Sequence, residues 1–420
     1  MSVVTSTSAA RPAEARTAEA ATPRLRPRGS NQVGMRQFNE RVVLQAIRLH
    51  GALPKAEIAR VTHLTAQTVQ IIIARLEADG LVLKHAPVRG KIGQPSIPMA
   101  LNPDGAFSIG IKIGRRSLDV LLVDFTAQVR ERLTLDYEFP DPDTLFDEIR
   151  SRLAALRKSL GPKRAQLLHG IGIAAPLSLG GWQSLLGVAP ERAGKWSSID
   201  IQAKVAAMTA LPVEMVKDTS AACVAELVAG RGRSIRSFLY IYIDTFIGGG
   251  LVIDSHLRHG VTGNAGAVGS MPLGLGGADG APPRQLLSVA SLFTLEAMYV
   301  KAKLDPGALA DERALQAPWL SVTQAWMRES ALAIALAIDS AAALLDLDGV
   351  IIDGSFSREM LAALLAQVGE AFDHYSWEGV TRPQILAGAI GADARAIGGA
   401  LLPLYGNFAP DRDLFLKVER

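Results

Sequence analysis

Cysteine is almost absent from this chain: Cys223 is the only one in 420 residues. A single thiol excludes an intramolecular disulfide and any zinc site built from several thiolates, and it suits a reducing cytoplasm. Long apolar runs are missing as well. No stretch of about 18 uninterrupted apolar residues occurs, so the sequence gives no sign of a membrane span. The first thirty residues carry Arg11, Arg16, Arg24, Arg26 and Arg28 among Ala, Thr, Ser and Pro. They lack the apolar central region of a secretory signal and read as a disordered basic tail over residues 1–34, able to touch DNA phosphate.

What is present describes a globular protein with more than one core. A length of 420 residues implies at least two folded units, and 49% hydrophobic with 20% charged residues is ordinary soluble composition. The net charge of +3 hides an asymmetry. Residues 1–100 hold 14 Lys and Arg against 6 Asp and Glu, whereas the remainder holds 30 against 35. A local positive surplus suits a polyanionic partner, because neutralising phosphates releases condensed counterions. Solubility alone would explain the same surplus, so the decision falls to the pattern.

From Asn39 the spacing of Val42, Val43, Ala46, Ile47 and Leu49 predicts an amphipathic helix that stops at Gly51. Pro54 is expected to open a second, short helix containing Ile58, Ala59 and Val61, with His63 and Leu64 as a tight connection. Thr65 then fits the N-cap of a third helix through Val69, Ile72, Ile73 and Leu76 to Gly80. A short helix, a turn and a longer helix is the helix-turn-helix arrangement, whose second helix enters the major groove. Its polar face begins with Thr65, Gln67, Thr68 and Gln70; glutamine can pair bidentately with adenine. Lys55 and Arg75 are placed to hold phosphates. Leu81 to Leu83 and Ile97 to Leu101 read as strands around a basic tip containing Arg89, Lys91 and Gln94, the plan of a wing. Residues 35–103 are therefore expected to form a winged helix-turn-helix DNA-binding domain. Three amphipathic helices as a plain helical subdomain is the competing reading.

Beyond Pro103, strand signals alternate with helical stretches. Phe107–Ile113, Leu118–Asp124 and Val129–Tyr137 predict three antiparallel strands, followed by a helix over Leu145–Leu160 and a buried strand over Leu168–Ala174. Val213–Val216 leads into an alanine-rich helix from Asp218. Phe238–Ile243 and Gly249–Ile253 predict a second hairpin, and Val350–Ile352 and Gln384–Ala387 the late strands. Two similar halves imply an α/β protein with a central cleft.

The segments GALPKAEIARVTHLTAQTV, SIGIKIG, KDTSAACVAE, FLYIYIDTFIGGGLVID, GVTGNAGAVGSMPLG, VIIDGS and GAIGADARAIGGALLP, in this order, resemble the ROK family of bacterial repressors and sugar kinases. The resemblance runs from about Phe38 nearly to the end. It implies an actin-like ATPase fold of two lobes over residues 104–420, serving as effector and dimerisation domain behind the winged module.

Departures from the family pattern are as informative. By that resemblance Lys112 stands where kinases have the metal-organising Asp of the first phosphate loop, and Arg116 stands for its Thr. Asp244 and Phe246 replace glycines of the second loop. A positive side chain cannot hold Mg²⁺, and phosphoryl transfer depends on metal and positioning. Asp218 matches the family's catalytic base but is not expected to act as one, and it equally fits a helix N-cap. Lys217 stands for the Asn before it. Ala267, Ser270 and Leu287 replace a sugar-binding Glu, a His and a further Glu. No cysteines follow in Gly276–Arg284, so neither zinc nor any other metal or cofactor is expected. Asp218, Lys217 and Gly266 remain as candidate ligand-binding positions.

The other candidates divide between chemistry and packing. His256 and His259 read as surface histidines, and Trp182 and Trp196 suit either sugar stacking or packing. The winged module predicts a DNA-binding regulator, and the family resemblance implies that it is a repressor of carbohydrate-related genes. It would bind a palindromic double-stranded operator as a homodimer or tetramer, with a sugar or other small molecule as candidate effector and no membrane partner. A sugar kinase with an appended DNA-binding domain is one rival. A ligand-independent regulator using the large domain as a scaffold is the other.

Overall fold

The computed structural model describes residues 32–87, 96–177, 179, 188–276 and 280–410. The amino-terminal module contains helices α1 (Gln32–His50), α2 (Lys55–Thr62) and α3 (Ala66–Ala78). It also contains strands β1 (Leu53–Pro54), β2 (Val82–Lys84) and β3 (Pro98–Leu101), ordered β1-β3-β2. Helix α1 starts earlier than the apolar spacing indicates, because its first turns place Met35, Arg36 and Gln37 in solvent, where no apolar stripe marks them. Pro54 does not open α2. It is extended at φ −63° and ψ 149° and pairs with Pro98, so the helix begins one residue later. His63 takes the left-handed conformation that ends α2. Thr65 caps α3, its hydroxyl accepting from the Thr68 amide at 3.1 Å.

The large domain consists of two five-stranded sheets with one topology. The first holds β4 (Phe107–Ile113), β5 (Ser117–Asp124), β6 (Val129–Asp136), β7 (Leu168–Ala175) and β8 (Val213–Lys217), ordered β6-β5-β4-β7-β8. The second holds β9 (Phe238–Ile243), β10 (Gly248–Ile253), β11 (His256–Arg258), β12 (Gly349–Gly354) and β13 (Gln384–Ala387), ordered β11-β10-β9-β12-β13. In each, an antiparallel three-strand meander is extended by two parallel strands beside its first strand. The central strands β4 and β9 are buried along their whole length, which is why they read as unbroken apolar runs.

Helices α5 (Asp218–Ala229) and α9 (Ala394–Phe408) lie against each other between the sheets. Helix α4 (Pro142–Ala165) covers the outer face of the first sheet. Helices α6 (Leu292–Lys301), α7 (Leu320–Leu345) and α8 (Arg358–Ala371) build the outside of the second lobe. The small residues of α9 are a packing requirement: a side chain on Gly398 would collide with the Ala221 carbonyl, and one on Gly172 with Gly399. At this spacing two helices and a sheet meet backbone to backbone.

One apolar cluster joins the module to the large domain. It combines Val43, Leu44 and Ile47 of α1 and Ile58, Val69 and Ile73 of α2 and α3 with Leu121, Val123 and Phe125 of β5 and its end, and with Ala400 and Leu404 of α9. Arg233 donates to the Arg48 and Leu49 carbonyls at 2.6 Å, closing the carboxyl end of α1. Burial, followed by the nearby Arg233, lowers the Arg48 guanidinium to about 10. Among the described residues no helix is long and apolar enough to cross a membrane.

Candidate functional site

Two surfaces carry polar chemistry. The first is the outward face of α3. Burying Val69, Ile72, Ile73 and Leu76 on one side of this helix turns Gln67, Gln70, Ile71 and Ala74 to solvent, the i, i+3, i+4, i+7 set of a single face. Thr65 is exposed, but its hydroxyl is engaged in the cap and in a 2.8 Å bond to Thr68 Oγ1. Arg75 is exposed and pairs with Glu40 of α1 at 3.5 Å, while Lys55 is half-buried at the start of α2. Arg89, Lys91 and Gln94 lie outside the described residues. Sequence reasoning missed Ile71, which is 48% exposed in the middle of the polar face. The polar residues named for this face leave it out because it is apolar, although its position one residue before the buried Ile72 points it outward.

The second surface is the cleft between the lobes. A cavity of about 260 Å³ is lined by Arg115, Lys217, Asp218, Asp244, Asn264 and Arg395 among its polar side chains, with Phe246, Ile247, Leu177 and Leu287 on its apolar walls. The strand ends β8 and β9 deliver Lys217 and Asp244, and the first turns of α5 and α9 deliver Asp218 and Arg395. Ala267, Ser270 and Leu287 also stand on its wall. Gly266 does not: at φ +73° it packs against the Gly250 and Leu251 backbone, and a side chain there would meet Gly250 Cα at 2.7 Å.

The residues that depart from a kinase pattern are held by protein partners. Lys112 Nζ donates to Asp119 at 2.9 Å and to Ser117 at 2.5 Å. Arg116 bridges the cleft to Glu296 of α6 at 2.9 Å. Asp244 forms an ion pair with Arg395 and accepts a hydrogen bond from Ser355. Burial would raise the Asp244 carboxyl, but Arg395, with Ser355 and Lys112, overrides it and holds the group below the usual carboxylate range. Burial opposes the charge on Arg395 too, yet Asp244, Tyr242 and Asp218 raise its affinity for the proton. Asp218 is the first residue of α5 rather than its N-cap, which is Lys217, and no side chain caps the helix. Its carboxylate accepts from the adjacent Thr219 amide at 2.8 Å, sits 3.7 Å from Arg395 and faces the cavity.

Glycines retained in the second loop have a local cause as well. Side chains on Gly249 and Gly250 would strike the Tyr240 carbonyl and Cys223 of α5, so β10 needs them to lie against its neighbours. Their presence carries no implication of phosphate binding.

Other candidates prove structural. Trp196 is buried, donates to the Pro140 carbonyl at 3.0 Å and tilts against Phe146, which decides between stacking and packing in favour of packing. Trp182 lies outside the described residues. His256 Nδ1 lies 2.7 Å from the Asp254 carbonyl. Among the described residues no group of three or more His, Cys, Asp or Glu is placed to hold a metal ion. Glu226, which sequence reasoning passed over, is fully buried and receives the amides of Arg231, Ala389 and Ile390, tying α5 to the loop before α9.

Residues 108–404 match the ROK family model. The chain belongs to the ROK family. Residues 39–82 match the model of winged helix-turn-helix DNA-binding domains. Among relatives of this ROK protein, the xylose repressor of Bacillus subtilis is 24% identical over 252 residues, 59% of this chain and 64% of the repressor. A transcriptional regulator of Mycobacterium tuberculosis is 29% identical over 240 residues, 55% of this chain and 52% of that protein. The aligned region therefore spans less than two thirds of each relative's length. A crystal structure of a ROK family transcriptional regulator, a homolog of the E. coli MLC protein, superposes with a TM-score of 0.63 at 19% identity, covering 89% of this chain and 98% of that one. A ROK glucokinase from Streptomyces griseus, solved with glucose and AMPPNP, gives 0.56 at 21% identity, covering 71% and 99%. The actin-like pair of lobes is thus common to ROK regulators and kinases, and in this chain it follows a winged helix-turn-helix.

Proposed function

We propose that this ROK protein is a cytoplasmic transcriptional repressor of carbohydrate-related genes that binds a two-fold operator as a homodimer or tetramer. Its kinase-like domain dimerises, senses a small molecule and transfers no phosphoryl group. The observation that carries the reading is the outward face of α3, with Gln67 and Gln70 one turn apart on a helix whose core is continuous with the large domain. Relatives named as repressors support it, and so does the basic surplus of residues 1–100. Residues 1–34, 35–103 and 104–420 act in this reading as basic tail, DNA-binding domain and effector domain. Lys55 and Arg75, with Arg89, Lys91 and Gln94 of the wing, hold the DNA.

The test is a footprint on the DNA upstream of the chain's own gene. A protected, symmetric site is expected, with affinity falling steeply and linearly on a log-log plot against salt, because each neutralised phosphate contributes about −0.9 to the slope. Absence of protection at low salt would rule the reading out.

The second prediction concerns catalysis. Asp244 and Arg395 neutralise each other where a kinase would bring metal and phosphate, and Lys112 is occupied by Asp119. ADP release from ATP and Mg²⁺ across a panel of hexoses, pentoses and amino sugars is expected to stay at the no-enzyme rate. Sugar-dependent turnover on any of them would restore the kinase reading.

A further inference from the structure

The charges lining the cleft cavity do not balance. Three cations, Arg115, Lys217 and Arg395, face two carboxylates, Asp218 and Asp244, among the described residues. Arg395 is satisfied by both carboxylates, ion-paired with Asp244 and 3.7 Å from Asp218. Arg115 rests 5.0 Å from the centre of the Phe246 ring. Lys217 is different. It is only 9% exposed, and its ammonium donates to a neutral group, the Asn264 side-chain oxygen, at 3.0 Å. No described carboxylate lies within 4.0 Å of it.

A desolvated ammonium without an opposite charge is costly, and it is retained where something supplies that charge. Burial pulls the Lys217 ammonium below its ordinary range, with Asp218 only partly opposing the effect. The surroundings also describe the rest of a ligand. Asp218, Asn264, Thr245 and Ser270 offer hydrogen-bonding partners for hydroxyls, while Phe246, Ile247, Leu177 and Leu287 form apolar walls.

We infer that the effector of this cleft is a small hydroxylated anion whose carboxylate or phosphate head group pairs with Lys217, flanked by Arg115. The inference rests on the reading of the large domain as a sensor and narrows its ligand from any small molecule to an acidic one. A single surplus positive charge matches one carboxylate. A neutral sugar would leave the buried Lys217 charge answered only in part, by Asp218.

The experiment uses the full chain and measures thermal shift and calorimetric binding with gluconate, glucuronate and glucose 6-phosphate against glucose, xylose and glucitol. At least one acid is expected to raise the melting temperature while the neutral compounds do not. The acids and the phosphate ester, run separately, identify the head group. Lys217→Met is expected to weaken acid binding roughly tenfold or more, the range for a hydrogen bond to a charged group. Lys217→Arg should retain it. If Lys217→Met does not fold, Arg115→Gln serves as the second variant and should weaken the same acid but no neutral compound.

Binding of a neutral sugar that survives Lys217→Met, or no response to any of the three anions, overturns the inference. Operator binding is measured in parallel without ligand. Its loss would remove the regulator reading itself, whereas intact operator binding with a neutral effector would remove only the acidic-ligand assignment.

Discussion

Replacing Gln67 and Gln70 together by alanine is expected to abolish sequence-specific DNA binding while leaving the protein folded. Both side chains lie on the exposed face of α3, away from Val69, Ile72, Ile73 and Leu76, so neither contributes to the core that holds the helix. A good bidentate contact to a base discriminates by about 1–3 kcal/mol, and a two-fold operator presents every contact twice. Four lost contacts are then enough to bring specific binding down to the non-specific level, a gap of roughly 10³-fold or more. The phosphate term should be untouched, since neither glutamine carries charge, and the salt dependence of the residual binding should keep its slope. Arg75→Ala makes the contrasting case: weaker binding to every sequence, with the slope reduced by about two, one for each copy of the contact. Titration of labelled operator and scrambled duplex, with melting temperature as the folding control, separates these outcomes. An equal loss on both duplexes for the glutamine variant would mean that the face is not reading bases.

How much of this was legible in the sequence depends on where each signal originates. Strands β4 and β9 could be placed to the residue because burial on both faces makes them unbroken apolar runs bounded by turn residues. The duplicated sheet order, visible in sequence only as two hairpins, follows from tertiary pairing and appears in the topology. Helix α9 carries a recognisable motif, yet its small residues give no clear periodicity, because what they record is the close approach of α5, β4 and β7. The cleft divides in the same way. Lys217, Asp218, Ala267, Ser270 and Leu287 were found by their order along a family pattern, and they meet at one cavity. Arg115, Glu296 and Arg395 were not found. Their roles exist only through partners far away in the chain: Arg395 with Asp244, and Glu296 with Arg116 across the lobes. Lys112 shows the limit from the other side. Its type announced the loss of a metal ligand, but only the structure reveals that Asp119 and Ser117 bind it.

Arg395→Met is expected to be among the most destabilising single changes in the large domain, because it strands Asp244 in a site built around a guanidinium. Removing one partner of a buried ion pair costs about 3–5 kcal/mol. The lower end applies here, since Ser355 and Lys112 still face Asp244, whose side chain remains 19% exposed. Asp218 loses a neighbour at the same time. The pH dependence separates this from a packing defect. In the native protein the Asp244 carboxyl is held below its unfolded value of about 3.9, so its contribution is present above that pH and disappears as pH falls through the lower, folded value. Without Arg395 the burial that opposes ionisation prevails and the folded value moves above the unfolded one. Charging Asp244 then penalises the fold as pH rises past about 4. The stability difference between wild type and Arg395→Met should therefore be largest near neutrality and shrink towards pH 4. Urea midpoints measured from pH 4 to 7.5 provide the check. Adding Asp244→Asn to Arg395→Met should recover most of the loss at neutral pH, because the stranded charge is gone. A deficit that is constant with pH and persists in the double variant would show that Arg395 matters for its packing over Tyr242 and not for the charge it answers.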